Sequence, residues 1–165
     1  MWLPVAAISI PACATTYLTV EQAQQAIFPG AKMTPASVRL SGEQAQQAAK
    51  KAGVEVDSGE LRAWKVAGGG WFILDDVLGK HEFISYAVGL DSNGAVTQIE
   101  IMDYRESYGY EIRNAKWRRQ FAGKTAADPV KLDRDIRNIS GATLSSRHVA
   151  DGVRKVLAIY AVALK

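Results

Sequence analysis

FISYAVGLDSNGAVTQIEIM, residues 83–102, is the stretch on which the fold turns. Residues 91–94 form a polar break between two apolar runs, and Asn93 followed by Gly94 is a pair that tolerates the positive φ of a tight hairpin turn. Residues 83–90 and 95–102 are therefore expected to pair antiparallel. In the second run Val96, Gln98, Glu100 and Met102 alternate with Thr97, Ile99 and Ile101, which predicts one mixed and one mostly apolar face. Upstream, residues 61–66 and 71–74 flank Gly68, Gly69 and Gly70 and predict another hairpin with a glycine loop.

Helical patterns surround these strands. Thr19 with Gln22, and Ser41 with Gln44, have capping-box spacing; Pro29 and Gly30 close the first segment and Gly53 the second. Residues 111–120 read as a helix with Ile112 and Ala115 inward, followed by an irregular charged segment, 122–140, with a turn at Asp128 and Pro129. The longest helical stripe comes last: Val149, Val153, Val156, Leu157, Tyr160 and Leu164. The fold class expected is α+β, a twisted antiparallel sheet packed by helices and ending in a long C-terminal helix.

Immediately before that helix stands ISGATLSS, residues 139–146. Ser140, Thr143, Ser145 and Ser146 are closely spaced hydroxyls, while Gly141 and Ala142 leave the backbone nearly bare. Free N–H groups and the positive end of the helix dipole at such a place favour an anion, typically a phosphate. A serine there also serves simply as a helix cap, and spacing alone leaves both readings open. A second group lies upstream: Glu106, Ser107, Tyr108 and Gly109, then Trp117, Phe121, Gly123 and Lys124.

The Ser-Gly-Ala-Thr-x-Ser-Ser pattern resembles the flavinylation signature of the covalent FMN-binding domain family, which includes the C subunit of the sodium-translocating NADH:quinone reductase and the G subunit of the Rnf complex. The upstream group is similar to that family's Glu-Thr-Pro-Gly stretch with its following Trp, Phe and Gly-Lys. The resemblance implies FMN joined by a phosphoester to Thr143, installed by a magnesium-dependent flavin transferase that takes it from FAD. It implies a cofactor site built from Ser140, Gly141, Ala142, Thr143, Ser145, Ser146, Glu106, Tyr108, Gly109 and Trp117. Two positions depart from the pattern: Arg137 stands where relatives often carry Asp, and Ser107-Tyr108 replaces Thr-Pro. For the flavin ring, Trp117, Tyr104, Tyr108 and Tyr110 are candidate walls, with Trp64 and Trp71 as outsiders; each aromatic has core packing as its alternative. Arg147, or a member of the cluster Arg113, Lys116, Arg118 and Arg119, is a candidate partner for the phosphodiester.

The chain has 165 residues, 48% hydrophobic and 22% charged, as expected for one globular domain. Its net charge is +3 and its pI about 9.0. No basic block with interleaved aromatics points to nucleic acid, so none is expected as a partner. Residues 1–14 form an uncharged apolar run ending in Ala12-Cys13-Ala14, which reads as the end of a secretory signal peptide without a basic start. It is shorter than the about 20 apolar residues that span a bilayer. Cys13 is the only cysteine, so no intramolecular disulfide or cysteine metal site is expected; lipidation of Cys13 is an alternative to cleavage. With the resemblance, residues 15–165 are expected to be the FMN-binding domain of an exported, periplasmic or envelope electron carrier that passes electrons between redox partners such as haem proteins or a membrane oxidoreductase. No catalytic constellation competes: Ser145 or Ser146 with His148 lacks an orienting acid. The alternative from another class is a non-flavin envelope binding module in which Thr143 only caps a helix.

Overall fold

The computed structural model describes residues 15–165; the leader expected over 1–14, Cys13 included, lies outside them. The elements run β1 (Thr15–Thr16), α1 (Val20–Ile27), β2 (Met33–Leu40), α2 (Gly42–Ala52), β3 (Gly59–Val66), β4 (Trp71–Leu78), β5 (Phe83–Leu90), β6 (Val96–Tyr104), α3 (Ala115–Arg118) and α4 (Thr143–Ile159). The strands form one antiparallel sheet in the order β1-β6-β5-β4-β3-β2. From β2 to β6 sequential strands lie side by side, with α2 between β2 and β3 and short turns after that, while β1 pairs with β6; the α+β architecture is the one expected.

Local chemistry accounts for most boundaries. Both capping boxes form: Thr19 and Gln22 open α1, and Ser41 and Gln44 open α2, which Gly53 closes in the left-handed region at φ +68°. At the β5–β6 turn Gly94 has φ +81°, and a Cβ there would fall 2.0 Å from the Tyr160 ring. Glycine is thus required twice over, once by the backbone and once because Tyr160 packs onto the turn.

Three expectations are corrected. β2 was not anticipated, because Pro35 interrupts its pattern; it lies at the sheet edge, where a missing N–H costs no ladder bond. The helix expected over residues 111–120 is broken into a 3-10 turn (Tyr110–Arg113), α3, and a second 3-10 turn (Arg119–Phe121). Asn114 is extended, and its Oδ1 accepts from the Lys116 N–H at 2.8 Å, restarting the helix. Third, β6 does not alternate simply. The pairing shifts between Ser85 and Tyr86 and between Gly89 and Leu90, so Val96, Ile99, Ile101 and Tyr104 all join the main core while Met102 faces the other side. Bulges reset the period of two.

One sheet face packs against α4, α3 and the 3-10 turns, and this core includes Tyr86, Ile99, Ile112, Phe121, Val153 and Leu157. The other face packs Phe72, Ala87 and Met102 against Ala23 and Ile27 of α1. On the first face Tyr86 is fully buried; its hydroxyl donates to the Asp75 carboxylate, whose Oδ2 lies 2.7 Å from Lys155 Nζ on α4. Arg154 ties α4 to two other segments, donating to Ala52 O at 2.6 Å, Val130 O at 2.8 Å and Asp151 Oδ1 at 2.8 Å. These acceptors meet three separate nitrogens of the guanidinium, and lysine, whose three donors share one nitrogen, cannot span them. Arg154→Lys is expected to lower stability by about 1–2 kcal/mol, the net worth of one or two such bonds, as read by urea unfolding.

The outer edge of β6 is engaged at several points. Val96 exchanges bonds with Gly123 and Lys124, Ile99 O accepts from Arg118 Nη1 at 2.7 Å, and Met102 O accepts from Tyr17 and Leu18. β1 pairs with Asp103 and Tyr104 at the end. No helix among the described residues is long and apolar enough to cross a membrane.

Candidate functional site

The ISGATLSS stretch opens α4. Thr143 is its first helical residue and Ala142 its N-cap, with no side-chain cap bond. This corrects the cap reading: neither Thr143, Ser145 nor Ser146 caps the helix. Ser146 is fully buried and donates to Ala142 O at 2.8 Å; Ser145, also buried, shares a 2.9 Å hydrogen bond with the Tyr104 hydroxyl. Gly141 sits at φ +82° with no heavy atom within 4 Å of where a Cβ would stand. The start of α4 therefore presents bare backbone and the positive end of a long helix, a place suited to an anion. Thr143 Oγ1 accepts a hydrogen bond from Asn138 Nδ2 at 3.0 Å.

The second group of residues is folded against the first. Gly109 has φ +93°, and a Cβ on it would lie 2.6 Å from the Tyr104 hydroxyl, 3.2 Å from Ala142 Cβ and 3.3 Å from Ser145 Oγ. Only glycine allows the 106–109 turn to press so closely on the head of α4. Tyr104 joins them, bonded to both Tyr108 O and Ser145. Burial raises its pKa, partly opposed by the Ser145 bond, so it remains a neutral donor near pH 7.

Glu106 holds the next loop. Its Oε1 accepts from the N–H groups of His81 at 2.5 Å and Glu82 at 3.0 Å. Desolvation works to raise its pKa, but the backbone donors of Glu82, His81 and Lys80 outweigh it and hold the carboxyl below its usual value. A depressed carboxylate pKa adds stability above the unfolded value of about 4.3, and that stability is lost as pH falls through the folded pKa. Comparing the melting temperature of the protein with that of Glu106→Gln from pH 7 to pH 3 should show a deficit in the variant that is constant near neutrality and shrinks below about pH 4.

These segments bound a groove of about 580 Å³, lined by Lys80 and His81 on the clamped loop, by residues 106–108, and by residues 141–145. The size is that of a small-molecule site. Leu144 and Tyr108 are exposed at it, Tyr108 by 82%. Of the residues singled out in the sequence, Glu106, Tyr108, Gly141, Ala142, Thr143 and Ser145 line the groove, and Gly109 sits behind it. Ser140 is exposed beside it, and Ser146 is buried beneath it. Trp117 lies elsewhere: it is buried, meets Phe121 edge-on at 5.1 Å, and borders a neighbouring hollow with Lys116, Gln120, Arg137 and Asn138. Trp64 and Trp71 belong to the distant β3–β4 hairpin. Tyr104, a candidate wall, is instead a buried strut. Ser107 and Leu144 belong to the two stretches singled out but without an assigned role, and Lys80, His81 and Asn138 were not anticipated; no pattern in the sequence joins the 79–82 loop to a motif sixty positions on.

The model of the FMN-binding domain family matches residues 79–158. That span opens at the loop clamped by Glu106, contains every residue lining the groove, and closes within α4. Comparison with curated proteins gives no match.

Proposed function

We propose, on the premise that this chain carries an FMN-binding domain over residues 79–158, that FMN is held there through a phosphoester to Thr143 and that the protein is an exported electron carrier. The observation that carries this reading is the position of Thr143. Its hydroxyl stands at an uncapped helix N-terminus on the wall of a groove of about 580 Å³. The residues fit the group. The head of α4 and the positive charge of Lys80 favour the phosphodiester that attachment leaves behind. Gly141 and Ala142 add no bulk, while Leu144 and Tyr108 offer apolar surface for the ring.

The remaining residues keep that geometry. Tyr104 braces Ser145 against the Tyr108 carbonyl, and Glu106 fixes the Lys80–Glu82 main chain at the rim. A bound flavin can take up two electrons and release them one at a time, so a domain that holds one needs no substrate pocket of its own. Export rests on the leader-like character of residues 1–14, and a covalent link keeps the cofactor from dilution outside the cytoplasm. The proposed partners are a flavin transferase using FAD and magnesium, and redox proteins, either haem-bearing or part of a membrane oxidoreductase.

Intact-mass spectrometry tests the reading. Protein produced with an active flavin transferase is expected to gain the mass of FMN less one water and to stay yellow after denaturation. An unmodified, colourless product beside a second substrate that the same transferase does modify would refute covalent attachment and leave reversible FMN binding, measured by flavin fluorescence quenching, as the domain's property.

A further inference from the structure

Behind Thr143 runs a line of hydrogen bonds that the motif does not contain. Trp117 Nε1 donates to Arg137 O at 2.7 Å, and the Arg137 N–H donates to Gln120 Oε1 at 2.8 Å. Both main-chain groups of Arg137 are thus tied to the α3 region, while its side chain is exposed. The next residue, Asn138, turns its amide to Thr143 Oγ1 at 3.0 Å. The Trp117 ring is itself buried against Phe121, so the anchor is rigid.

We propose that Asn138 is a positioning residue that holds Thr143 Oγ1 for flavin attachment, and that Trp117 and Gln120 act through it by pinning the main chain of Arg137. The proposal rests on the attachment reading above. In the step concerned, Thr143 Oγ1 forms a new bond to the FMN phosphorus of FAD. The bond from that phosphorus to the oxygen of the adenylate half breaks, AMP leaves with the electron pair, and the threonine proton passes to a base on the transferase or to water. An oxygen aimed in advance reacts faster, because no rotamer search precedes attack. A threonine on an exposed helix end has staggered alternatives; the Asn138 amide selects one and leaves the second lone pair of Oγ1 free to attack. This arrangement takes from position 137 its backbone and not its side chain. It also assigns Trp117 a role that lies outside the groove.

The test is the rate of mass gain with purified transferase, FAD and magnesium, across a range of concentrations of this protein. Asn138→Ala is expected to lower the maximal rate about tenfold, since loss of orientation costs at least that much. The concentration giving half-maximal rate and the melting temperature should hold. Trp117→Phe keeps an aromatic ring, smaller than indole, but not the N–H; it should lower the maximal rate by less, and add little on top of Asn138→Ala. Asn138→Asp cannot donate when ionised but can when protonated, so its rate relative to the parent should rise as pH falls toward about 4. A packing role alone would move neither the ratio with pH nor the maximal rate at constant stability. Modification of Asn138→Ala at the parental maximal rate would overturn the proposal while leaving Thr143 as the acceptor. Absence of any mass gain in the parent would overturn the attachment reading and this proposal with it.

Discussion

Thr143→Ala is expected to fold as the parent does and to gain no flavin mass under conditions that modify the parent completely. The two halves of this result have separate origins. On the stability side the substitution removes one hydrogen bond, from Asn138, at a partly exposed site. Such a bond is worth about 1 kcal/mol at most there. Alanine regains roughly half of that through its better helix propensity. Because Thr143 does not cap α4, no capping energy is lost. The net change should stay within about 0.5 kcal/mol, below what a thermal scan separates easily. On the chemical side the loss is expected to be total, since no neighbouring hydroxyl shares the place of Thr143 on the first turn of α4. Ser145 lines the groove, but its hydroxyl is bonded to that of Tyr104, and Ser146 is buried against Ala142 O, so neither oxygen is free to replace it. Thr143→Ser sharpens the result: it keeps the oxygen, loses the methyl that limits χ1, and should be modified, only more slowly. A mass gain in Thr143→Ala would move the acceptor to Ser140, the exposed hydroxyl nearby.

Gly152→Ala should destabilise the protein by about 3 kcal/mol, against the usual sign of such a change. In the middle of an exposed helix the substitution would stabilise by about 1 kcal/mol. Here a Cβ would stand 2.2 Å from the Tyr86 hydroxyl, 2.8 Å from Tyr86 Cζ and 2.8 Å from Val77 Cγ1. Tyr86 has no room to yield. It is fully buried, and its hydroxyl is bonded to Asp75, which is itself paired with Lys155. Burial first, and then the Asp75 charge, hold the Tyr86 pKa far above its ordinary value, so the group stays a donor. Forcing α4 away from the sheet costs about 1–3 kcal/mol in packing, and dislodging the buried hydroxyl costs a similar amount. For a chain of this size the melting temperature should fall by roughly 8 °C. Tyr86→Phe in the same background removes the oxygen that the new methyl meets and should restore part of the loss, a coupling that a double-mutant cycle reads directly.

Much of the fold is legible in the sequence because turns and caps are local. Asn93-Gly94 marks the hairpin, Thr19/Gln22 and Ser41/Gln44 mark two helix starts, and the stripe from Val149 to Leu164 marks α4. What escapes is set by distant packing. β2 is hidden by Pro35, which only an edge strand accommodates, and the edge is a property of the whole sheet. The bulges in β5–β6 arise from pairing and invert the faces that alternation assigns to Val96. Asn114 has the chemistry of a cap, but within an otherwise helical pattern it reads as one more polar residue. At the site, the closeness of the 106–109 turn to ISGATLSS follows from resemblance and is given physical form by Gly109, whose missing Cβ admits Tyr104, Ala142 and Ser145. Glu106 looks like a ligand in the sequence and is a clamp on backbone in the structure. Asn138 carries no signal: a single amide five positions before the threonine becomes meaningful only when the main chain between them bends back.

The partly occupied outer edge of β6 limits how other proteins can engage this one. Recognition by strand addition needs a row of unmet N–H and C=O groups along which a visiting peptide can zip. Here the carbonyls of Val96, Ile99 and Met102 are already engaged by Gly123, Arg118, Tyr17 and Leu18. At the opposite edge, Pro35 removes one of the donors that such a visitor would use. Strand addition is thus hindered at both edges, which favours recognition through side-chain relief and charge and gives unfolded neighbours less purchase for templated aggregation.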